Sequence, residues 1–464
     1  MRARYAAHGQ EHVFRHWNEL GAAGRERLLA QAAAIALERL LPAFALARTR
    51  AEAGASGDLE PAPVERIPVH GGDPARFRAA AARGADLLAA GRVAILVVAG
   101  GQGTRLGFEG PKGCFPLGPV TGRSLFEQQA QKIHGLRRRS GRPLPWYVMT
   151  SDATDAATRA FFARHAFFGL PEGDVFLFRQ GMVPSFDFAG RLILAAPDRI
   201  FESPNGHGGV LTALVDSGAL DHMEGHGVDT IFYHQVDNPL VRLGDPVFLG
   251  FHELAGAEMS CKVVRKREPG EKMGILARRA GRIGVVEYTE LEDRHRFARD
   301  DRGELVFWAG NLAIHAFATP FVRRVAADAD ELLPYHASAK AIPGLDGAGR
   351  PSVPRAPNGY KLERFVFDAL PAARAVAVVE TRREEEYAPI KNAEGGESPQ
   401  SSREALCALY RTWLEAARVE APAAGIALEI DHSRIDGPDD AGGLGIRSFR
   451  EAPQAIRTTP GAEA

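Results

Sequence analysis

The sequence predicts an α/β protein with an open, mostly parallel sheet covered by helices. Residues 93–99 are a short, continuous apolar run that ends at glycines, which is typical of a strand buried on both faces. Further strand-like runs alternate with helical patterns at 124–134 and 157–162, and these runs lie at 146–150, 175–178 and 230–236. Ligands of such sheets bind at the carboxyl ends of the strands, so that edge is where a site is expected.

Helices and shorter strands flank this region. Residues 10–48 show helical spacing and predict two or three packed helices, and the Gly-, Pro- and Ser-rich stretch 49–74 predicts a connecting loop. After Phe251 short apolar runs predict an antiparallel extension of the sheet, at 260–265, 274–277, 283–288 and 304–308. The C-terminal part predicts helices at 362–370 and 402–417, followed by a segment at 426–430, a polar Gly-rich end and a frayed tail after Glu451. We therefore expect an N-terminal helical region with linker (1–75), a central catalytic domain (76–385) and a smaller C-terminal region (386–464).

Composition excludes several classes of protein. The 464 residues include 57 Lys and Arg against 58 Asp and Glu, a net charge of -1 that provides no general attraction to nucleic acid or an anionic membrane. Three widely separated cysteines, without a Cys-x-x-Cys pair, predict thiols in a reducing compartment. With no apolar signal core at the N-terminus, a cytoplasmic protein with small-molecule partners is expected, and monomer and dimer stay open.

The strongest local signal is the glycine-rich loop after the first buried strand. Residues 98–107 read VAGGQGTRLG and are followed by GPKG at 110–113. Closely spaced glycines let backbone amides approach a phosphate chain, and Arg105 and Lys112 add positive charge. A turn that serves only chain reversal is the alternative. The spacing fits neither the G-x-G-x-x-G dinucleotide fingerprint nor the G-x-x-x-x-G-K-[ST] phosphate loop, which excludes both of those motifs.

The pattern AGGQGTRLG with PKG resembles the nucleotide-binding loop of sugar-1-phosphate nucleotidylyltransferases. It looks like the UDP-N-acetylhexosamine pyrophosphorylase branch of the UTP:sugar-1-phosphate uridylyltransferase family. Similar blocks follow in the same order, namely QGMVP (180–184), PNGHGG (204–209), YHQVDN (233–238), GVVEY (284–288), GNL (310–312), NGYKLERFVFD (358–368) and PIKNA (389–393). The resemblance implies a Rossmann-like nucleotide-diphospho-sugar transferase fold and a UTP-dependent uridylyltransferase.

The resemblance also implies roles for particular residues. Arg105, Lys112 and Lys391 are the catalytic cations, and Lys391 also faces the sugar phosphate. The nucleotide-binding residues are Ala99, Gly100, Gly101, Gly103, Lys112, Gln180 (which contacts uracil), Gly206, Asp237 and Lys361. The sugar-binding residues are Asn205, His207, Glu287, Asn311 and Lys391. Without the resemblance Lys361 and Arg364 would read as the exposed face of a helix, Glu287 as a strand residue and Asn311 as a loop residue.

The chemistry of nucleotidyl transfer agrees with the types of residue at these positions. Nucleotidyl transfer brings two polyanions together, and the attacking phosphate oxygen is already ionised, so catalysis needs alignment and charge stabilisation rather than a protein nucleophile. Asp237 follows the strand pattern 230–236, where a sheet would deliver a carboxylate to a cleft, and its functional interpretation is a Mg²⁺ ligand. A helix N-cap or turn aspartate is the alternative.

One residue departs from the hexosamine pattern. His207 stands where those enzymes typically carry Asn, and His is more similar to the UDP-glucose and broad UDP-sugar branches. We expect UTP and N-acetylglucosamine 1-phosphate as substrates, with glucose 1-phosphate or several sugars as the alternative. A catalytically silent nucleotide-sugar-binding protein is less consistent with retention of Arg105, Lys112, Asp237 and Lys391. A glycosyltransferase lacks its expected Asp-x-Asp.

Overall fold

A computed structural model describes residues 1–53 and 57–458, with side chains at 1–50 and 57–458. Its helices are α1 (Arg2–Ala6), α2 (Ala22–Ala34), α3 (Leu37–Ala53), α4 (Pro74–Ala89), α5 (Leu125–Ser140), α6 (Asp155–Arg164), α7 (Val210–Asp216), α8 (Ala219–Gly225), α9 (Pro246–Leu254), α10 (Asp293–Arg296), α11 (Thr319–Ala327), α12 (Ala329–Leu332), α13 (Arg383–Glu386), α14 (Pro399–Ala416) and α15 (Pro438–Gly443).

The strands are mostly short. They are β1 (Glu60–Pro61), β2 (Val93–Val98), β3 (Trp146–Thr150), β4 (Val175–Arg179), β5 (Met182–Pro184), β6 (Phe186–Asp187), β7 (Leu194–Ala196), β8 (Arg199–Ile200), β9 (Glu202–Pro204), β10 (Thr230–Gln235), β11 (Met259–Arg265), β12 (Ile275–Arg279), β13 (Arg282–Val286), β14 (Ala309–Ala318), β15 (Tyr335–Lys340), β16 (Gly344–Leu345), β17 (Pro351–Ser352), β18 (Gly359–Arg364), β19 (Val376–Glu380), β20 (Leu428–Ile430) and β21 (Ile456–Thr458).

The described chain divides into two compact units, each assembled from three segments. The smaller unit comprises Met1–Gly57, Gln180–Ala213 and Arg324–Ala372, and the larger unit comprises Asp58–Arg179, Leu214–Arg323 and Ala373–Ala464. The smaller unit thus combines helices from the predicted N-terminal region with strands from the predicted central region. The two compact units therefore do not follow the order of the segments along the chain.

The larger unit contains a ten-stranded sheet. Its strands follow the order β1-β12-β14-β10-β2-β3-β4, and β11, β13 and β19 attach beside that path. The strands β10, β2, β3 and β4 pair in parallel, as predicted, whereas β14 pairs antiparallel to both β10 and β11. The interior of β2 is fully buried, because helices cover both faces of a sheet of this kind. The α/β fold with its antiparallel extension is therefore confirmed.

The smaller unit packs helices against a three-stranded antiparallel sheet. The sheet has the order β15-β18-β6, and Phe44 of α3 stacks on Phe186 of β6 with ring centroids 4.2 Å apart. Its core combines residues such as Phe14 and Leu28 with Leu362 of β18. The predicted N-terminal helices are confirmed by α2 and α3, and they form a core with segments far along the chain.

Several local predictions differ from the structure. Residues 304–308 are not a strand, and the strand here is β14 at 309–318, which contains Asn311. Residues 362–370 are not an α-helix, because β18 reaches Arg364 and a 3₁₀ turn follows at Val366–Ala372. The predicted frayed tail contains β21, which pairs with β20, and residues 459–464 lie outside the described residues. The first five residues of the predicted loop 49–74 belong to α3, which runs to Ala53, and 54–56 also lie outside the described part.

Within the described residues no single helix has both the length and the apolar composition of a membrane span. Only α2 with the first part of α3 has both as a pair, and that pair is bent by 65°.

Candidate active site

The glycine-rich loop leaves the carboxyl end of β2 and folds back on itself. The Gly103 amide donates to Gly110 O at 2.9 Å, and the Lys112 amide donates to Gly101 O at 3.0 Å. Within the described part of the chain, the amides of residues 100–102 have no protein acceptor. Such amides at a strand end are donors that an anionic ligand can use.

At two positions of this loop, the structure explains why the residue is glycine. A Cβ on Gly103 would lie 2.7 Å from Cδ1 of Phe108, and Gly107 has a φ of +68°, a left-handed conformation that favours glycine. A Cβ on Gly101, in contrast, would meet no atom within 4 Å. Gly101 therefore leaves open space beside the unpaired amides, as a phosphate-binding loop requires.

Lys112 and Asp237, 125 residues apart in sequence, meet at this edge. The pairing of β10 with β2 aligns Gln235 with Val98, so both strands end at the same level of the sheet. The distance from Lys112 Nζ to Asp237 Oδ2 is 3.4 Å, and Nζ also lies 3.4 Å from Ile390 O. Both side chains keep access to solvent, at 18% and 15% exposure. The structure thus brings Lys112 and Asp237 together in the larger unit.

Asn238 ties a third segment to this edge. Its buried amide group donates from Nδ2 to Glu386 O at 2.7 Å and accepts from the Ala388 amide at 3.1 Å. The Ile390 amide then donates to Asp237 O at 2.9 Å. Asn238 therefore fixes the segment that leads to Lys391. Sequence reasoning missed this role, and its only signal was the position of Asn238 in the VDN motif.

Lys391 lies on a short loop and already has an anionic partner. Its Nζ is 3.1 Å from Glu397 Oε1 and 3.4 Å from the Tyr387 hydroxyl. Burial opposes the charge, but the neighbouring Tyr387 and Glu397 outweigh it and raise the pKa of Lys391 above its ordinary value. Lys391 is therefore a protonated cation at neutral pH.

Arg105 is the remaining predicted cation of this unit. It lies in the 3₁₀ turn Thr104–Leu106, exposed, and its guanidinium has no ion-pair partner among the residues that the structure describes. Arg105 is thus available to an anion.

The capacity of this edge for a metal ion rests on Asp237. Within residues 1–53 and 57–458, no three His, Cys, Asp or Glu side chains gather in a group that could hold a metal ion. Mg²⁺ needs fewer, because it commonly binds through one or two carboxylates together with phosphate oxygens and waters. The accessible carboxylate of Asp237 at a strand end fits that mode.

Glu287 directly follows β13 and Asn311 lies in β14, and β12 pairs with both of these strands in the larger unit. The Asn311 amide donates to Gly274 O at 2.9 Å, and a Cβ on Gly274 would be 3.0 Å from Glu287 Oε1. Gly274 thus provides room for the Glu287 carboxylate next to Asn311. Asn311 Oδ1 accepts from the Ala313 amide at 3.1 Å, and Ala313 has a φ of +54°, so β14 is distorted at this point.

The smaller unit brings Gln180, Asn205 and Gly206 together. The Asn205 amide donates to Gly181 O at 3.1 Å, next to Gln180, whose carboxamide has no hydrogen-bond partner within the described chain. A Cβ on Gly206 would be 2.5 Å from Arg364 O, so only glycine allows this loop to approach β18. Asn205 Oδ1 is buried without a partner in the described residues, and its carboxamide packs against Gly209, where a Cβ would lie only 1.9 Å from Oδ1.

His207 is held as a neutral ring with one hydrogen-bond donor. Its Nδ1 accepts from the Val366 amide at 3.2 Å, so the proton is on Nε2. The ring stacks on Phe365, with centroids 5.3 Å apart and planes at 8°. Burial lowers the pKa of His207 to about 4. Nε2 has no partner among the described residues, so His207 offers a fixed N–H group.

Lys361 belongs to β18 rather than to a helix. Its Nζ lies 5.4 Å from the centre of the Phe201 ring, a cation–π distance. The nearby Arg364 is buried and forms an ion pair with Asp330 at 2.6 Å. Lys361 and Arg364 therefore differ, because Arg364 supports the fold and Lys361 keeps a charge without a carboxylate partner in the described part.

Comparisons with known proteins identify relatives over most of the chain. The family model for UTP–glucose-1-phosphate uridylyltransferase matches residues 75–402. Human UDP-N-acetylhexosamine pyrophosphorylase-like protein 1 is 38% identical over 89% of this chain and 84% of its own length. Saccharomyces cerevisiae UDP-N-acetylglucosamine pyrophosphorylase is 33% identical over 88% of this chain and 89% of its own. The crystal structure of the Trypanosoma brucei uridine diphosphate N-acetylglucosamine pyrophosphorylase has a TM-score of 0.79 at 28% identity, covering 90% and 85%.

Proposed function

The chain belongs to the UTP–glucose-1-phosphate uridylyltransferase family, and from this premise we propose that it converts UTP and N-acetylglucosamine 1-phosphate to UDP-N-acetylglucosamine and pyrophosphate. The observation that carries the proposal is the meeting of Lys112, Asp237 and the segment before Lys391 beside unpaired backbone amides. A cytoplasmic setting belongs to the same proposal, supported by the free thiols of Cys114, Cys261 and Cys407.

The residues of the larger unit handle charge. The amides of residues 100–102 hold the triphosphate, while Arg105 and Lys112 neutralise the charge that builds up as the bond to pyrophosphate breaks. Lys391 binds the phosphate of the sugar and directs its oxygen to the α-phosphorus of UTP. That oxygen is already ionised, so no side chain has to remove a proton. This agrees with the three cations of the larger unit, Arg105, Lys112 and Lys391.

Asp237 would hold the magnesium ion. When bound, Mg²⁺ screens the negative charge of phosphate oxygens. The carboxylate of Asp237 is fixed for this task, because its own backbone carbonyl accepts from Ile390 and its neighbour Asn238 is clamped. Lys112 at 3.4 Å keeps the carboxylate beside a cation.

We assign residues of the smaller unit to recognition of the base and the sugar. Gln180 pairs with the uracil edge, Gly206 gives the nucleotide close access to the backbone, and Lys361 adds a positive charge for the nucleotide phosphates. Within the smaller unit we assign Asn205 and His207 to the sugar. Glu287 and Asn311, which lie in the larger unit, have the same assignment from the resemblance. The fixed N–H group of His207 supports the assignment of that residue.

Glucose 1-phosphate is the second candidate substrate, and His207 is the observation that favours it. An imidazole ring is larger than the carboxamide of the hexosamine pattern and here offers one donor instead of a donor and an acceptor. The acetamido group can use that donor through its carbonyl oxygen, and this keeps N-acetylglucosamine 1-phosphate first.

A steady-state assay tests the proposal. Purified protein with Mg²⁺ and UTP is supplied separately with N-acetylglucosamine 1-phosphate, N-acetylgalactosamine 1-phosphate and glucose 1-phosphate, and pyrophosphate release is measured. We expect the largest kcat/KM with N-acetylglucosamine 1-phosphate. A larger kcat/KM with glucose 1-phosphate would change the proposed substrate and leave the proposed reaction unchanged. Binding of UDP-sugar without pyrophosphate release from any sugar phosphate would refute the reaction itself.

A further inference from the structure

The loop that carries Lys391 closes on itself and supplies its own anion. Residues 391–397 form a tight turn in which the Lys391 amide donates to Glu397 O at 2.7 Å, and the Asn392 amide donates to the same oxygen at 3.1 Å. Asn392 Nδ2 also donates to Gly396 O at 2.9 Å. The backbone of Lys391 is therefore held by hydrogen bonds that do not involve the Glu397 carboxylate.

Glu397 has an unusual backbone conformation for its residue type. Its φ is +54°, in the left-handed region where glycine and asparagine are favoured and glutamate is uncommon. The neighbouring Gly395 and Gly396 show that glycine is compatible with this loop. A glutamate in this conformation indicates that its side chain has a task.

The side chain of Glu397 occupies the donors that a phosphate would need. Its Oε1 lies 3.1 Å from Lys391 Nζ and accepts from the Tyr387 hydroxyl at 3.2 Å. Lys391 and Glu397 are 43% and 39% exposed, so a phosphate can reach both groups from solvent. A carboxylate and a phosphate oxygen present the same acceptor chemistry to the lysine and the tyrosine.

We propose that Glu397 is a stand-in anion for the sugar phosphate, which displaces it from Lys391 and Tyr387 on binding. The inference rests on the proposed function, because that function assigns Lys391 to the sugar phosphate. Glu397 is then a residue that weakens substrate binding rather than one that strengthens it. Tyr387, released from Glu397, becomes a second hydrogen-bond donor to the phosphate.

The size of the effect follows from the ion pair. A pair as exposed as Lys391 and Glu397 contributes little, and breaking it changes affinity by roughly two- to fivefold. Glu397→Gln should therefore lower the KM for N-acetylglucosamine 1-phosphate by about that factor and leave the KM for UTP unchanged. Glu397→Asp keeps the charge but withdraws it by one methylene group, so its KM should fall less.

The matched control is Glu394→Gln. Glu394 lies on the same loop and is exposed without an ion-pair partner among the described residues, and this substitution makes the same change of charge. Its KM values should equal those of the wild type. If KM falls with both variants, the effect comes from the overall charge of the loop, and the proposal is overturned.

The opposite role has a different signature. If Glu397 only positions Lys391, Glu397→Gln raises the KM for the sugar phosphate and lowers kcat, and Glu397→Asp restores both. That pattern, or an unchanged KM in Glu397→Gln, overturns the proposal.

A binding measurement separates this inference from the proposed function. Calorimetric titration with inorganic phosphate needs no turnover, and Glu397→Gln should bind phosphate two- to fivefold more tightly than the wild type. In a Lys391→Ala background the same substitution should have no effect. If the wild type releases no pyrophosphate but the phosphate titration behaves as expected, the proposed function fails and the stand-in role remains. If pyrophosphate is released and phosphate binds equally to both proteins, the stand-in role fails alone.

Discussion

The two units of the molecule carry different kinds of functional side chain. In the larger unit the functional residues are mostly charged, with Lys112 beside Asp237, Lys391 beside Glu397 and Arg105 exposed. In the smaller unit Gln180, Asn205 and His207 are neutral, and burial lowers the pKa of His207 far enough to keep it so at neutral pH. Only Lys361 adds a charge to the functional set there. The difference indicates that charge neutralisation and recognition are separable, so variants of the two units should fail in different ways.

The separation has a physical reason. A charged group works at the reaction centre because it stabilises a developing charge without rearranging, and it acts on any sugar phosphate alike. A neutral donor or acceptor discriminates better, because a wrong substrate leaves it without a partner. Variants of the cations Lys112 and Lys391 in the larger unit should change rates for all sugars, and variants of His207 in the smaller unit should change the choice among them.

The largest effect is expected for Lys112→Ala. Loss of one preorganised cation should lower kcat/KM by ~100-fold or more, and by a similar factor for every sugar phosphate that the enzyme accepts. Steady-state kinetics with two sugar phosphates checks both statements. Lys272→Ala, which removes an exposed lysine of the same unit, serves as the control and should retain the wild-type rate. A sugar-dependent loss would break the division between the units.

A smaller effect is expected for Asn238→Ala. The substitution leaves Glu386 O and the Ala388 amide without their partner and should lower the free energy of unfolding by about 1–3 kcal/mol. Activity should fall by roughly tenfold for all sugars, because the segment that carries Lys391 loses its attachment. Urea unfolding and kinetics measure the two effects. Asn18→Ala, at an exposed position of the smaller unit, should change neither.

The sequence predicted the strands of the parallel half well, because their burial on both faces is visible as apolar runs. It could not predict β14 or β18. The first half of β14 reads AGNLA, with poor strand formers, and it is a strand because β11 pairs with residues 309–311 and β12 pairs with Gly310. Residues 359–370 contain apolar residues at helical intervals, but pairing of β18 with β15 and β6 overrides that local pattern.

The candidate site shows the same limit. The resemblance identified Lys112, Asp237 and Lys391, and their roles stay a prediction. In the larger unit Lys112 lies close to Asp237 and to the carbonyl oxygen of Ile390, the residue before Lys391. The clamp by Asn238 and the ion pair of Glu397 depend on hydrogen bonds between segments up to 150 residues apart or on one left-handed residue. Neither leaves a pattern in composition or spacing, so only coordinates reveal them.

His207→Asn tests recognition in the smaller unit. The carboxamide replaces a single fixed donor by a donor and an acceptor, and we expect the ratio of kcat/KM for N-acetylglucosamine 1-phosphate to that for glucose 1-phosphate to rise by about tenfold. Competition of the two sugar phosphates at fixed UTP measures the ratio directly. If kcat/KM changes equally for both sugars, His207 affects the rate rather than the choice of sugar, as the charged residues do. The functional difference between the two units would then not hold for this residue.

The smallest expected effect is the pH dependence of His207. Burial lowers its pKa from 6.5 to about 4, so as pH falls below 6.5 the unfolded chain takes up a proton that the folded chain does not. This residue therefore stabilises the fold less at pH 5.5 than at pH 7, by about 1 kcal/mol. The asparagine variant lacks this term, so its loss of stability between the two pH values, measured by urea unfolding, should be smaller than that of the wild type by that amount. His226→Asn, at an exposed position of the larger unit, should follow the wild type. Equal losses for wild type and His207→Asn would mean that the ring is not held neutral, and the argument for a fixed N–H donor would fail with it.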